Sequence, residues 1–186
     1  MTLLKCYTVS MFSNPKVVVN ALGITPGMIV ADVGAGSGEY SIALARATSP
    51  SGRVYAIDVQ KDLLTRIKNL AVKEGVGSVE VIWGDIEKQG GASLSDNSVD
   101  VAVVANMFFQ VEDKRAAAQE IVRIVKPQGK IAIVDWEDSF GGLGPRPEDV
   151  VSADAAQKVL AEFGFKKVSD FNAGDHHYGL ILKKSL

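Results

Sequence analysis

The chain has 186 residues, of which 47% are hydrophobic and 23% charged; 20 basic and 22 acidic side chains leave a formal net charge of -2. That length buries a core without disulfide or metal staples, no apolar run reaches the roughly 20 residues of a membrane span, and the charge balance supplies no general attraction to phosphate polymers. Cys6 is the only cysteine, so an internal disulfide is excluded, and without a secretory pattern at the N-terminus the expected location is the reducing cytoplasm.

Residues 2–12 show no clear periodicity, whereas Pro15 opens a short helix over 15–22 that Gly23 ends. Together, residues 1–24 read as an N-terminal segment covering a ligand cleft. Branched Ile29, Val30 and Val33 predict a buried strand over 29–33. Gly34, Gly36 and Gly38 then allow a tight turn, close approach of a ligand to the backbone, and close packing of the next helix. Tyr40, Ile42, Ala43, Leu44 and Ala47 fall at helical spacing through residue 48. A second strand covers 53–57, with Asp58 at its carboxyl end, followed by a helix over 61–74 that buries Leu63, Leu64, Ile67, Leu70 and Ala71. Strands over 79–83 and 99–105, a helix over 114–125, a strand over 130–134 and a helix over 153–163 continue the alternation. The last apolar runs, 165–171 and 178–182, flank Asn172, Ala173, Gly174 and Asp175 and read as a hairpin.

Helical crossovers between strands require a parallel sheet covered on both faces. The expected fold is therefore α/β, a Rossmann-like three-layer sandwich in one domain over 1–186, with the loop 139–147 as a lid or rim. In such a sheet, ligands settle beyond the carboxyl ends of the strands where the connectivity reverses. The glycine turn, Asp58, Asp85 and Asn106 all fall there. Asp58 follows Gly38 by about 20 residues, the spacing that brings a carboxylate beside the ribose of a ligand over the turn. Asp85, preceded by Gly84, suits an adenine amino group, with Val59, Trp83 and Ile86 as apolar walls. The pattern is GxGxG, with Glu39 where a dinucleotide fingerprint places its last glycine, which weakens a nicotinamide or flavin reading.

IVADVGAGSG at 29–38, YAID at 55–58, GD at 84–85 and RIVKPQGKIAIVD at 123–135 resemble, in order, the signatures of class I S-adenosylmethionine-dependent methyltransferases. Within that family the chain is similar to small, single-domain enzymes that modify metabolites, quinone-biosynthesis and arsenite-methylating relatives included. The resemblance implies strand order 3-2-1-4-5-7-6 with strand seven antiparallel. It also implies a cofactor, S-adenosylmethionine, held by Asp32, Gly34, Ala35, Gly36, Gly38, Asp58, Val59, Gly84, Asp85, Ile86 and Asn106. A lone cysteine disfavours thiol-dependent arsenic chemistry. Asn106, Met107, Phe108, Phe109 and Gln110 replace the acidic tetrapeptide of amino-group methylation, which disfavours DNA adenine and glutamine as acceptors.

The implied activity is methyl transfer to a small molecule, for which alignment of nucleophile, methyl carbon and sulfur supplies much of the rate without a covalent protein nucleophile. His176 and Asp135 are the candidate proton acceptors, with His177 and Glu137 beside them. Phe108, Trp136 and Phe140 are the candidate acceptor wall. Asp135, Glu137 and Asp138 read as a solvated rim, and no metal is expected. The competing readings are a cofactor-binding partner subunit without its own turnover and an NAD-dependent oxidoreductase. Nucleic acid is not an expected partner, and oligomeric state is left open.

Overall fold

The computed structural model describes residues 13–184 apart from 141 and 143. Strand β1 (Ile29–Val33) pairs in parallel with β2 (Arg53–Asp58) on one side and β4 (Val99–Ala105) on the other. β3 (Val79–Trp83) extends the sheet beyond β2, and β5 (Val125–Trp136) extends it beyond β4, both in parallel. β7 (His177–Lys184) runs antiparallel to β5, and β6 (Phe165–Gly174) antiparallel to β7 forms the far edge. The seven-stranded order is β3-β2-β1-β4-β5-β7-β6, as the resemblance implied. Connectivity reverses between β1 and β4, so a crevice opens at their carboxyl ends.

Alternate residues of the strands feed two helical layers, because successive side chains point to opposite faces. Helices α1 (Pro15–Leu22) and α2 (Glu39–Thr48) pack Val18, Leu22, Leu44 and Ala45 on Val30, Val54, Val101, Val103, Ala132 and Val134. Next to them α3 (Lys61–Lys73) sets Leu64 and Ile67 on Ala35 and Ala56. The opposite face takes α4 (Lys114–Ile124) and α5 (Ala153–Ala161), whose Ala117, Ile121, Ala156 and Leu160 join Ala31, Val33, Val104, Ile131, Ile133 and Leu182. Thus α1 belongs to a helical layer, and residues 1–12 of the expected covering segment lie outside the described residues. No described helix is long and apolar enough to cross a membrane.

Two boundaries differ from expectation. The fourth helix stops at Ile124, and Val125 already pairs with Val99; the chain then bulges through Gln128, at φ 65°, before pairing resumes at Lys130 with Val101. Burial of Val125 and the bond from Ser98 N to Ile124 O (2.8 Å) draw this segment into the sheet, which helical periodicity does not reveal. The terminal hairpin is tighter than expected. Gly174 pairs with His177 across a turn of Asp175 and His176, whose φ is 62°, so His176 sits in the turn and only His177 is on the strand.

A buried carboxylate ties the sheet's active end to the α4 layer. Glu120 is 2% exposed, accepts from Gly90 N (3.0 Å) and Ala92 N (2.9 Å), and pairs with Arg123 (2.7 Å). It holds the loop that follows Asp85. Because truncation leaves a buried amide, a part-buried amide and a guanidinium without their acceptor, Glu120→Ala is expected to lower stability by about 3 kcal/mol in urea unfolding. A change below roughly 0.5 kcal/mol, the size typical of surface substitutions, would show that this loop is held by other means.

Candidate active site

A cavity of about 500 Å³ opens at the carboxyl ends of β1, β2 and β4. Its floor is the glycine turn, where Gly34 N and Ala35 N donate to Ile57 O at 2.9 and 3.0 Å. Gly34 has φ 71°, and a Cβ there would lie 2.5 Å from Met107 Cγ, so both backbone shape and space require glycine. Gly38, at φ 85°, caps α2; a Cβ there would lie 2.7 Å from Ile67 Cγ1. Gly38 therefore serves helix packing and does not border the cavity, unlike the expectation that it contacts the cofactor.

Asp58 connects the turn to the next helix. Its Oδ2 accepts from Gly36 N at 2.9 Å and its Oδ1 from Gln60 N at 2.8 Å, at 8% exposure. Each oxygen keeps a further lone pair for a ligand hydroxyl. Asp32, at 1% exposure, accepts from Ser41 Oγ of α2. Burial pushes its carboxyl up from 3.8 to about 7, against the bond from Ser41, and the Asp58 charge raises it further. Asp85 accepts from Glu87 N (3.1 Å) and pairs with Lys88 (2.8 Å); the Lys88 bond holds its carboxyl below the ordinary 3.8.

Val59 and Ile86 line the cavity. Trp83 stands outside it, donating Nε1 to Val59 O at 3.0 Å beneath the Lys61 ammonium, 4.8 Å from the ring centre. Asn106 lines the cavity at φ 52°, a backbone shape that asparagine tolerates better than most residues. Its N donates to Val134 O (2.8 Å), and its own carbonyl accepts from Gln110 Nε2 (2.7 Å). Tyr40, Met107, Gln110 and Val111 also border the space, and none of them was expected as a binding residue. For Tyr40 a signal exists: the first turn of the helix after a glycine turn faces that turn. The charged lining residues are Asp32, Glu39, Asp58, Asp85 and Glu87, all acids, with no lysine or arginine among the described lining residues.

The residues expected to act on the acceptor do not border this cavity. Phe108 is fully buried in the core on the α4 side, which corrects its assignment to an acceptor wall: the tight turn over Phe108–Gln110 rolls its ring inward. Trp136 is 7% exposed, with its ring 4.3 Å from that of His177 and the Gly144 backbone against its indole. Phe140 stacks on His176 at 4.1 Å, on the outside of the hairpin. His176 Nδ1 lies 2.8 Å from Asp138 Oδ1. Asp135, 1% exposed, accepts from Phe109 N (3.1 Å) and Trp136 N (2.8 Å); burial pushes its carboxyl up to about 6 against these bonds. His176 fastens the loop after β5 to the hairpin, and Asp135 fastens the turn after β4 to β5.

Residues 24–176 match the family model described as "Methyltransferase domain". The chain belongs to this methyltransferase family. A SAM-dependent methyltransferase from Aquifex aeolicus superposes with a TM-score of 0.84 at 30% identity, covering 94% of this chain and 91% of that one. A putative type 11 methyltransferase from Sulfolobus solfataricus gives 0.73 at 28% identity, covering 94% and 95%. A "Ubiquinone/menaquinone biosynthesis C-methyltransferase" of Cupriavidus taiwanensis is 30% identical over 148 residues, 80% of this chain and 57% of the relative. The chain spans about half the length of the curated relatives it matches. Fold, ordered motifs and relatives make it a class I S-adenosylmethionine-dependent methyltransferase by family.

The raised Asp32 carboxyl has a signed consequence for the ligand-free protein. Between 3.8 and about 7 the folded state binds a proton that the unfolded state has lost, so Asp32 makes stability fall as pH rises through that window. Asp32→Asn is expected to flatten that fall and to stabilise the protein at pH 8, by at most roughly 4 kcal/mol from linkage. Thermal melts of both proteins across that range check this; equal slopes would contradict it.

Proposed function

We propose that this chain transfers a methyl group from S-adenosylmethionine to a small-molecule acceptor, with S-adenosylhomocysteine as the second product. The observation that carries the reading is the charge of the cavity, whose ionised side chains are all acids around a glycine turn gripped by Asp58. A sulfonium cation with an ammonium group suits that field, whereas the pyrophosphate of a nicotinamide cofactor meets repulsion with no lysine or arginine among the described lining residues to offset it. When bound, the cofactor supplies a methyl group already activated by the sulfonium charge.

The protein's own work is then mostly placement. Asp58 would hold the ribose hydroxyls, Asp85 the adenine amino group, and Val59 with Ile86 the faces of the base. Asp32, Gly34, Ala35, Gly36 and Asn106 would surround the methionine portion, and there the carboxylate form of Asp32 would be favoured by a nearby ammonium. Asp135 and His176 are both engaged by the fold, so we assign the rate to orientation and exclusion of water rather than to either as an essential base. The relative's printed role in quinone biosynthesis supports a small molecule over a macromolecule as acceptor. With a single cysteine, we place the reaction in the reducing cytoplasm.

Isothermal calorimetry with S-adenosylhomocysteine tests the cofactor. Wild type is expected to bind it and to ignore NAD. Asp58→Ala is expected to raise its Kd about 30-fold, equivalent to about 2 kcal/mol of charge-assisted hydrogen bonding. Tighter binding of NAD, or an unchanged Kd in a variant that melts like wild type, would overturn the reading.

A further inference from the structure

Two residues that line the cavity, Tyr40 and Asn106, each carry a buried polar atom without a hydrogen-bond partner: the Tyr40 hydroxyl and Asn106 Oδ1. A buried polar atom left without a partner costs about 1–3 kcal/mol, so two in one cavity mark a place where a ligand completes the bonding. Both flank Ser13. Asn106 Nδ2 donates to Ser13 Oγ at 3.4 Å, which orients the carboxamide and leaves its oxygen as the free end. Ser13 also lies beside the Tyr40 hydroxyl, without a geometry that closes a bond to it. The Tyr40 ring packs on the α1 side of the sheet with Ala105, so this corner lies away from Asp85 and Ile86, across the mouth of the β1–β4 crevice.

The charged ends of the cofactor have other partners. An ammonium finds Asp32 and Glu39, which line the same cavity. A carboxylate finds the start of α2, where Gly38 has no side chain to cap the first amides. That leaves the two neutral atoms over. Asn106 Oδ1 only accepts, so its ligand must donate; the Tyr40 hydroxyl donates as well as accepts, so its ligand can be an acceptor. A single neutral hydroxyl group meets both requirements. Burial pushes the Tyr40 hydroxyl up to about 12, so it keeps its proton at neutral pH. The acids of the lining oppose a carboxylate or phosphate at the same place.

We propose that Tyr40 and Asn106 form the acceptor subsite, which anchors an uncharged, hydroxyl-bearing molecule by a hydroxyl donated to Asn106 Oδ1 and accepting from the Tyr40 hydroxyl. The Met107 side chain, lying over Gly34, and the Tyr40 ring supply apolar surface for the body of that molecule. The Asn106 backbone borders the methyl donor, while its side chain faces the acceptor. This rests on the cofactor reading of the remaining cavity.

The test uses protein saturated with S-adenosylhomocysteine and titrated with phenol, with toluene and benzoate as probes lacking the neutral hydroxyl. Phenol is expected to bind, and toluene and benzoate to bind at least about fivefold more weakly, the equivalent of one hydrogen bond. Tyr40→Phe is expected to weaken phenol about fivefold while leaving the Kd of S-adenosylhomocysteine within about twofold. Asn106→Gly, which tolerates the positive φ, is expected to weaken phenol similarly. Phenol that fails to bind, binds no better than toluene, or is indifferent to both substitutions overturns the proposal. So does a tenfold loss of S-adenosylhomocysteine affinity in Tyr40→Phe, which would give the hydroxyl to the cofactor. Failure of wild type to bind S-adenosylhomocysteine would instead overturn the cofactor reading on which the subsite depends.

Discussion

The carboxylate of Asp58 is the constraint on which the site depends. One oxygen takes the amide of Gly36 and the other the amide of Gln60, so a single side chain at the end of β2 fixes both the glycine turn after β1 and the entry into α3. Backbone amides can be held this way only if the strands are parallel neighbours in register, as Val33 and Ile57 are. The turn itself needs glycines, because a side chain at Gly34 would displace Met107 from the cavity wall. Sheet order, turn and acid therefore form one device: removing any of the three releases the other two.

Electrostatics gives that device its selectivity. Acids concentrated at the carboxyl ends of strands repel one another, and the protein tolerates this by different means at each. Asp85 is matched by Lys88, Asp58 by two amides, and Asp32 by taking up a proton near neutral pH. The resulting field favours a cation in the cavity, at the expense of some stability in the ligand-free protein. Such a trade is expected where function requires groups that folding alone would not choose.

Much of this was legible in the sequence. The strands from β1 to β4 announce themselves by branched apolar runs, and the spacing from the glycines to Asp58 follows from the length of one helix and one strand. What escaped were features set by pairing partners rather than by local pattern. Val125 looks helical until Val99 claims it, and the connection looks open across Asn172 to Asp175 until Gly174 and His177 pair around a two-residue turn. The aromatic residues after β4 and β5 were harder still. Apolar character alone does not distinguish a ring turned into the core, as at Phe108, from one facing a cavity, as the Tyr40 ring partly does. Asp135 shows the same ambiguity for acids: its position at a strand end is catalytic in appearance, yet two backbone amides occupy it.

The most direct measurement is a crystal structure of this chain with S-adenosylhomocysteine. Ribose hydroxyls are expected within hydrogen-bond distance of the Asp58 carboxylate while its bond to the Gly36 amide persists, with the adenine between Val59 and Ile86. A nucleoside bound elsewhere, or an Asp58 side chain turned away from the sugar, would contradict it.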